Sequence, residues 1–410
     1  MDTSQKKILI IGASMGGLRA AEQLRSAGWG GAIEVIGDEI HPPYNRPPLS
    51  KEILTDAAMD TAAALGKLAF RLKRSMADVS ITTGNGAVAA DLAAGTVTLA
   101  DGSEKAYDGL VIATGIRPRT LEISEPAGGR HVVRTIEDSL ALRATLVPGA
   151  RVAVIGAGFI GCEVAATAIQ NGCTVTLIEG GKGPMHRPLG ATVAAAFRQR
   201  LQDHGITCLP GAHAVGFEAA TSEGQQVAAV LLEDGRRIEA NVVIEAVGSI
   251  PNTEWLAGNG LDLTDGVLTD QHLRVIGADN VVAVGDIARY PDRRWATGAR
   301  RVEHWAMPGD TAKTAARSLI AQLTGGEAPE PCRALPSFWS DQFGLRITGM
   351  GAPSLAESHR VLEGDLADID AGVAVGYYAG QRLVGFLSAG LSAKRVLELR
   401  AELEAAPVLA

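Results

Sequence analysis

The residues in this chain best suited to do chemistry are two runs of glycines with the same internal spacing. Gly12, Ser14, Gly16 and Gly17 follow the apolar stretch Lys7-Ile8-Leu9-Ile10-Ile11, and Gly156, Gly158, Ile160 and Gly161 follow Arg151-Val152-Ala153-Val154-Ile155. Glycines so spaced let the backbone turn sharply and approach a pyrophosphate, whose charge then rests on amides at a helix N-terminus. The chemistry is the holding of a dinucleotide, and its repetition predicts two such nucleotides in one chain.

Carboxylates one strand further on support this. Cys173-Thr174-Val175-Thr176-Leu177-Ile178 reads as the next strand of the second unit, and Glu179 stands at its end, where a ribose-binding carboxylate belongs. Such a group accepts hydrogen bonds from a ribose diol and repels a 2′-phosphate, which favours NADH over NADPH; nearby Lys182 and Arg187 soften that preference. In the first unit the strand Ala32–Ile36 leads to Asp38, taken as the ribose carboxylate with Glu39 as its close competitor. Ser14 replaces the middle glycine there and crowds the approach of backbone to pyrophosphate.

The elements that must position these residues follow from pattern. Each glycine run lies between a strand-type run and a helical one, the context a dinucleotide fingerprint needs. The strand in Asp108–Gly115 ends in Ala113, Thr114 and Gly115, small residues against which a flat ligand can lie, and Val281–Asp286 ends likewise in Gly285 and Asp286. A helix is expected over Thr192–Gly205, with strands near Ala228–Leu232 and Val242–Ala246. Beyond Pro329 and Pro331 the order changes to strands around Phe338–Trp339, Leu345–Met350, Val373–Tyr378 and Leu383–Leu387, then a helix over Ala393–Glu404. The expected fold is α/β. Residues 1–115 and 245–325 form one Rossmann-like domain, 116–244 a second, and 326–410 a C-terminal α+β domain.

The chain of 410 residues is long enough for two or three domains. Its net charge of −8, without a basic tract, argues against nucleic acid. No apolar run approaches the ~20 residues that span a bilayer, and the N-terminus enters a nucleotide-binding strand almost at once, so a cytoplasmic, soluble enzyme is expected. Cys162, Cys173, Cys208 and Cys332 show no metal-ligand or redox-dithiol spacing. Cys162 sits at a helix start, where a thiol pKa can fall; the plainer reading is a small buried residue.

Taken in order, these segments resemble the FAD-dependent, NADH-oxidising ferredoxin reductases that feed bacterial Rieske oxygenases and haem monooxygenases, relatives of the glutathione reductase superfamily. The most diagnostic is Tyr44-Asn45-Arg46-Pro47-Pro48-Leu49-Ser50-Lys51, similar to the loop that passes beside the isoalloxazine ring in that family. The resemblance implies FAD in the first site, NADH in the second, and a Lys51–Glu163 ion pair at the reaction centre, with neither residue needed as a proton donor. Arg46 and Lys51 would supply positive charge near the reduced flavin. The resemblance further implies that Asp286 holds the ribityl chain and that the backbone of Glu303-His304-Trp305 reaches the flavin pyrimidine edge. The segment from Val247 through Gly248 to Asn252 would be the hinge from the NAD domain, and Phe338–Gln342 the opening of the C-terminal domain. Trp305 and Trp339 stand open between core packing and a part in electron transfer.

What the resemblance implies for activity is hydride transfer from NADH to FAD, then single electrons to an iron–sulfur ferredoxin, of [2Fe–2S] type, docked by electrostatics. Arg289, Arg293, Arg294, Arg300 and Arg301 form the candidate basic face. Two other readings remain at this stage: an NADH oxidase or disulfide reductase on the same fold, and a nucleotide-sensing interaction protein. Cysteines that peroxide- or disulfide-reducing relatives keep beside the flavin are missing from this sequence.

Overall fold

The computed structural model describes residues 3–123, 126–220, 225–292, 294–295 and 298–406. Buried β-branched and leucine side chains in short runs build two five-stranded parallel sheets, as expected where helices cover both faces. The first sheet has the order Val281–Ala283, Gly109–Ile112, Lys7–Ile11, Ala32–Ile36, Ser80–Thr82. The second has the order Thr207–Pro210, Thr174–Glu179, Arg151–Ile155, Val242–Glu245, Arg130–His131. In both, the fingerprint strand is central and runs into a helix of the same length, Met15–Ser26 in one and Phe159–Gln170 in the other.

The duplication goes further than the fingerprints. Each unit places a three-stranded antiparallel meander before the strand that returns beside its fingerprint strand: Ala87–Ala106 before Gly109, and Ala214–Glu239 before Val242. The chain passes between the units through two short antiparallel strands, Ile116–Pro118 and Ser249–Pro251. The second sheet keeps its last strand through Glu245, so the return to the first unit starts after that residue.

The C-terminal sheet is antiparallel throughout, in the order Ser337–Gln342, Leu345–Gly351, Arg382–Ala389, Val373–Ala379, Ser358–Glu363, and the helix Ala393–Ala405 packs on it. Its edge strand Ser358–Glu363 lies outside the sequence expectation. The helix expected over Thr192–Gly205 is present and ends at Asp203; a short helical segment from His186 precedes it across a kink at Gly190, whose backbone is non-helical (φ +77°).

Packing explains how the first unit reaches the second. The loop after Ala32–Ile36 sends Leu49, Ile53, Leu54 and Met59, each at most 2% exposed, into the core formed by the second unit and the C-terminal sheet. Full burial of such side chains is worth about 1.5–3 kcal/mol each relative to exposure. The loop is thus fixed on the fingerprint helix Phe159–Gln170, with Ser50 and Lys51 between its buried anchors. Among the described residues no helix is long and apolar enough to cross a membrane.

Candidate active site

At the C-terminal ends of the first sheet's strands lies a cleft of about 640 Å³. Gly12, Ser14, Gly16, Asp38, Glu39, Arg46, Ala113, Thr114, Gly115, Gly285, Asp286 and Trp305 all line it. Gly12 adopts φ +114°, and a Cβ there would lie 2.2 Å from the Ala113 carbonyl oxygen, so the turn requires glycine. Gly17 does not face the cleft; a Cβ on it would meet the Gly12 carbonyl oxygen, and its role is close helix packing.

Arg46 spans the cleft. Its Nε donates to Ser14 Oγ (3.3 Å), its Nη1 to Tyr44 Oη (3.1 Å) and to the Arg134 carbonyl (2.6 Å), and its Nη2 pairs with Glu39. Glu39 also accepts from Tyr44 Oη (2.6 Å), whereas Asp38 stands exposed at the rim. Sequence reasoning passed over Arg134, which carries no motif signal, and placed Asn252 only at the end of the hinge segment. Arg134 is brought to the cleft floor just before the helix Ile136–Thr145, and Asn252 exchanges hydrogen bonds with Thr114 (2.8 and 2.9 Å). Burial pushes the Asp286 carboxyl up to about 6, with the Arg134 charge opposing and Glu303 adding to it. Burial, and then the adjacent Arg46 charge, lowers the Arg134 guanidinium pKa.

The second cleft, about 370 Å³, is lined by Lys51, Gly158, Ile160, Gly161, Glu163, Gly248, Glu303, His304, Trp305, Phe338 and Trp339. Arg46, Ile116, Arg117, Arg134, Asp286 and Trp305 border both clefts, which therefore meet. A Cβ on Gly158 would touch nothing within 4 Å, leaving open space over the N-terminus of the helix Phe159–Gln170. Gly156 serves the turn (φ +101°) and Glu179 stands apart from the lining, its carboxylate accepting from the amides of Ala157 and Gly181 (both 2.7 Å).

Lys51 and Glu163 meet at the inner end of the second cleft, Nζ to Oε2 at 2.6 Å, with Glu163 buried. Ser50 Oγ donates to the same oxygen (2.6 Å), while Ser340 Oγ (3.0 Å) and the Asp341 amide (3.2 Å) donate to Oε1. Three neutral donors and a paired ammonium offset the cost of burying this carboxylate. Both serines lay inside segments singled out for other residues.

Cys162 is the small buried residue of the plainer reading: complete burial pushes its thiol pKa well up, and Cys208 and the carboxylates of Glu179 and Glu163 add to the shift. One expectation needs correction: the described arginines do not form an open basic face. Arg289 pairs with Asp262 (2.5 Å), Arg300 with Asp292 (3.3 Å) and Arg301 with Asp265 (2.7 Å) and Glu303 (2.6 Å), while Arg294 donates to the Arg333 carbonyl. Asp262 and Asp265 from an earlier segment, and Asp292 and Glu303 from the same stretch, pair with three of these arginines; Arg293 lies outside the described residues. The Glu303 side chain also accepts from Ser249 Oγ of the hinge (2.7 and 2.8 Å). Burial, then the Arg300 charge, brings the His304 pKa down to about 4, and its ring meets Phe338 edge-on at 5.4 Å.

Residues 6–312 match the pyridine nucleotide-disulphide oxidoreductase family. The chain belongs to that family. This pyridine nucleotide-disulphide oxidoreductase is 34% identical over 386 residues to putidaredoxin reductase CamA of Pseudomonas putida, covering 92% of this chain and 87% of that one. It is 34% identical over 381 residues to rhodocoxin reductase of Rhodococcus erythropolis, covering 92% and 85%. The solved structure of the covalent putidaredoxin reductase–putidaredoxin complex superposes with a TM-score of 0.87 at 30% identity, covering 98% of this chain and 94% of that one. A ferredoxin reductase from Rhodopseudomonas palustris gives 0.88 at 31%, covering 98% and 96%. The oxidoreductase thus has the two-nucleotide fold expected of it, and its cofactors are FAD and NADH.

Proposed function

We propose that this oxidoreductase passes electrons from NADH through FAD to a [2Fe–2S] ferredoxin that serves an oxygenase or haem monooxygenase. The carrying observation is the Lys51–Glu163 pair where the two clefts meet. Residues 1–115 and 245–325 hold FAD in this reading, 116–244 hold NADH, and 326–410 complete the wall of the second cleft. FAD supplies the chemistry that couples hydride uptake from NADH to the release of single electrons.

The chain's own residues bind, orient and exclude water. Gly12, Gly16 and the start of the helix Met15–Ser26 take the FAD pyrophosphate, with Arg46 beside it. Glu39 is engaged by Arg46 and Tyr44, which supports Asp38 as the ribose carboxylate. Asp286 offers its carboxylate to the ribityl hydroxyls. In the second cleft Gly158 and Gly161 take the NADH pyrophosphate, and Glu179, fixed by two amides, presents negative charge to the adenosine ribose. Lys51 holds its ammonium at the junction, where it would place positive charge beside the bound FAD.

The four cysteines are free and include no Cys-x-x-Cys pair, which supports an outward path to a protein acceptor over a disulfide-reducing one. Similarity to putidaredoxin reductase and to the biphenyl dioxygenase reductase component of Paraburkholderia xenovorans supports a ferredoxin as that acceptor. Stopped-flow mixing with NADH or NADPH, then with one-electron protein acceptors, tests the proposal. Faster bleaching by NADH, followed by oxidation by a [2Fe–2S] ferredoxin ahead of oxygen or a disulfide, is expected. Preferential turnover of oxygen or a disulfide would overturn it.

A further inference from the structure

The strand Ser337–Gln342 alternates in burial, with Phe338, Ser340 and Gln342 inward. Two of these three inward positions are polar and almost completely buried, Ser340 at 0% and Gln342 at 1% exposure. An inward position of an antiparallel strand ordinarily takes an apolar side chain, and a buried polar group costs stability unless it is hydrogen-bonded. Ser340 Oγ and Gln342 Nε2 are joined in one chain of contacts, while Gln342 Nε2 also reaches Met185 Sδ (3.9 Å) and Gln342 Oε1 is buried without a partner among the described residues. Gln342 Nε2 donates to Ser340 Oγ (3.0 Å), and Ser340 Oγ donates to Glu163 Oε1 (3.0 Å).

The direction of that chain is fixed by donor chemistry. An amide nitrogen can only donate, so Gln342 occupies a lone pair of the Ser340 oxygen and leaves its single hydrogen for Glu163. With Oε1 held by Ser340 and the Asp341 amide, the Glu163 carboxylate cannot rotate, and Oε2 stays on Lys51 and Ser50. A lysine has four rotatable side-chain bonds, so a fixed partner confines its ammonium more than a mobile one does. Three segments distant in sequence thereby converge on one charge: the loop of the first unit, the fingerprint helix of the second, and the first strand of the C-terminal sheet.

We infer that Ser340 and Gln342 are positioning residues of the reaction: acting through Glu163, they hold the Lys51 ammonium at the junction of the clefts. The C-terminal domain on this inference contributes to hydride transfer, beyond closing the cleft. The inference rests on the reading that the junction is where NADH meets FAD.

The test compares holoenzyme variants by two measurements. Competitive acetylation of Lys51, read by mass spectrometry against exposed Lys313, reports how firmly the ammonium is held whether or not the flavin turns over. Stopped-flow reduction by NADH separates the limiting rate from the NADH dissociation constant. Loss of a hydrogen bond to a charged group predicts that Ser340→Ala raises Lys51 acetylation and slows the limiting rate about tenfold, with NADH affinity within about twofold. Ser340→Thr, which keeps the hydroxyl, restores both, and Gln342→Leu shifts both in the same direction by less. Wild-type acetylation and rate in Ser340→Ala would overturn the inference; should that variant not fold, the same result in Gln342→Leu would overturn it. Lys51→Met separates the two levels. If it reduces flavin normally, the reading of the junction fails; if it is slow while Ser340→Ala is normal, only this inference fails.

Discussion

The two nucleotide units share sheet order, helix length and an inserted meander, yet their clefts differ in what stands over the fingerprint. In the first, Ser14 occupies the middle position, and Arg46 crosses from it to Glu39 and onto the Arg134 carbonyl. In the second, Gly158 leaves open space, and the strand-end Glu179 is tied only to backbone amides. One skeleton thus carries a cleft built over by charged side chains and one left open. Such a difference suits a resident cofactor on one side and an exchanging nucleotide on the other, because enclosure by converging charges slows release. The Tyr44–Leu68 loop leaves the first unit to pack on the second, and so brings the closed site to the open one.

The largest effect is expected where the units are joined. Glu163→Ala would leave Lys51 and the two serines facing a cavity, and breaking a buried pair by removing one partner costs about 3–5 kcal/mol. Denaturant unfolding of Glu163→Ala should show that loss; a change below about 1 kcal/mol would show that burial of the loop, without the ion pair, joins the units.

A second test uses titration in opposite senses on the two sides. The Asp286 pKa is raised from 3.8 to about 6, so the folded protein binds more protons than the unfolded one between those values, and stability falls as pH rises through them. His304 is lowered from 6.5 to about 4, so the unfolded chain binds more protons in nearly the same window, and stability rises with pH. Each effect is about 3 kcal/mol, and in the flavin-free protein the two largely cancel. Asp286→Asn should unmask a rise in melting temperature from pH 4 to 6.5, and His304→Gln a fall over the same range. Parallel pH curves for wild type and both variants would contradict this.

The smallest effect tests the open cleft directly. Gly158→Ser copies the first fingerprint into the second; a Cβ there meets no protein atom, so melting should stay unchanged while NADH binding weakens about tenfold by equilibrium titration. Unchanged NADH affinity would mean that the space over Gly158 does not receive the pyrophosphate.

Much of the fold was legible because buried parallel strands are continuous apolar runs and glycines punctuate them. The strand Ser358–Glu363 was not, since Ser-His-Arg-Val-Leu-Glu shows no apolar alternation and only its edge position in the sheet makes it a strand. The short helical segment from His186 was masked by Pro188 and Gly190, and Gly190 does interrupt the helix with a kink before the longer segment that ends at Asp203. In the site, fingerprint glycines and strand-end carboxylates carry their own signal. Arg134 and Asn252 do not, because their place depends on the turn before a capped helix and on the hinge. The arginine run read as a basic face because sequence shows charge without showing that Asp262 and Asp265 fold back against it, or that Asp292 within the run pairs with Arg300.

The sequence by itself determined two dinucleotide units, their order, and the glycines of both fingerprint turns, since those depend on local turns and the apolar strands beside them. Only tertiary structure decided that the two clefts share a border, that the Lys51 ammonium rests on a Glu163 held from the C-terminal sheet, and that three of the arginines are paired with carboxylates. Those properties arise where segments separated in the chain are packed together, and distance in space, which sets hydrogen bonding and charge, is not written in any local pattern.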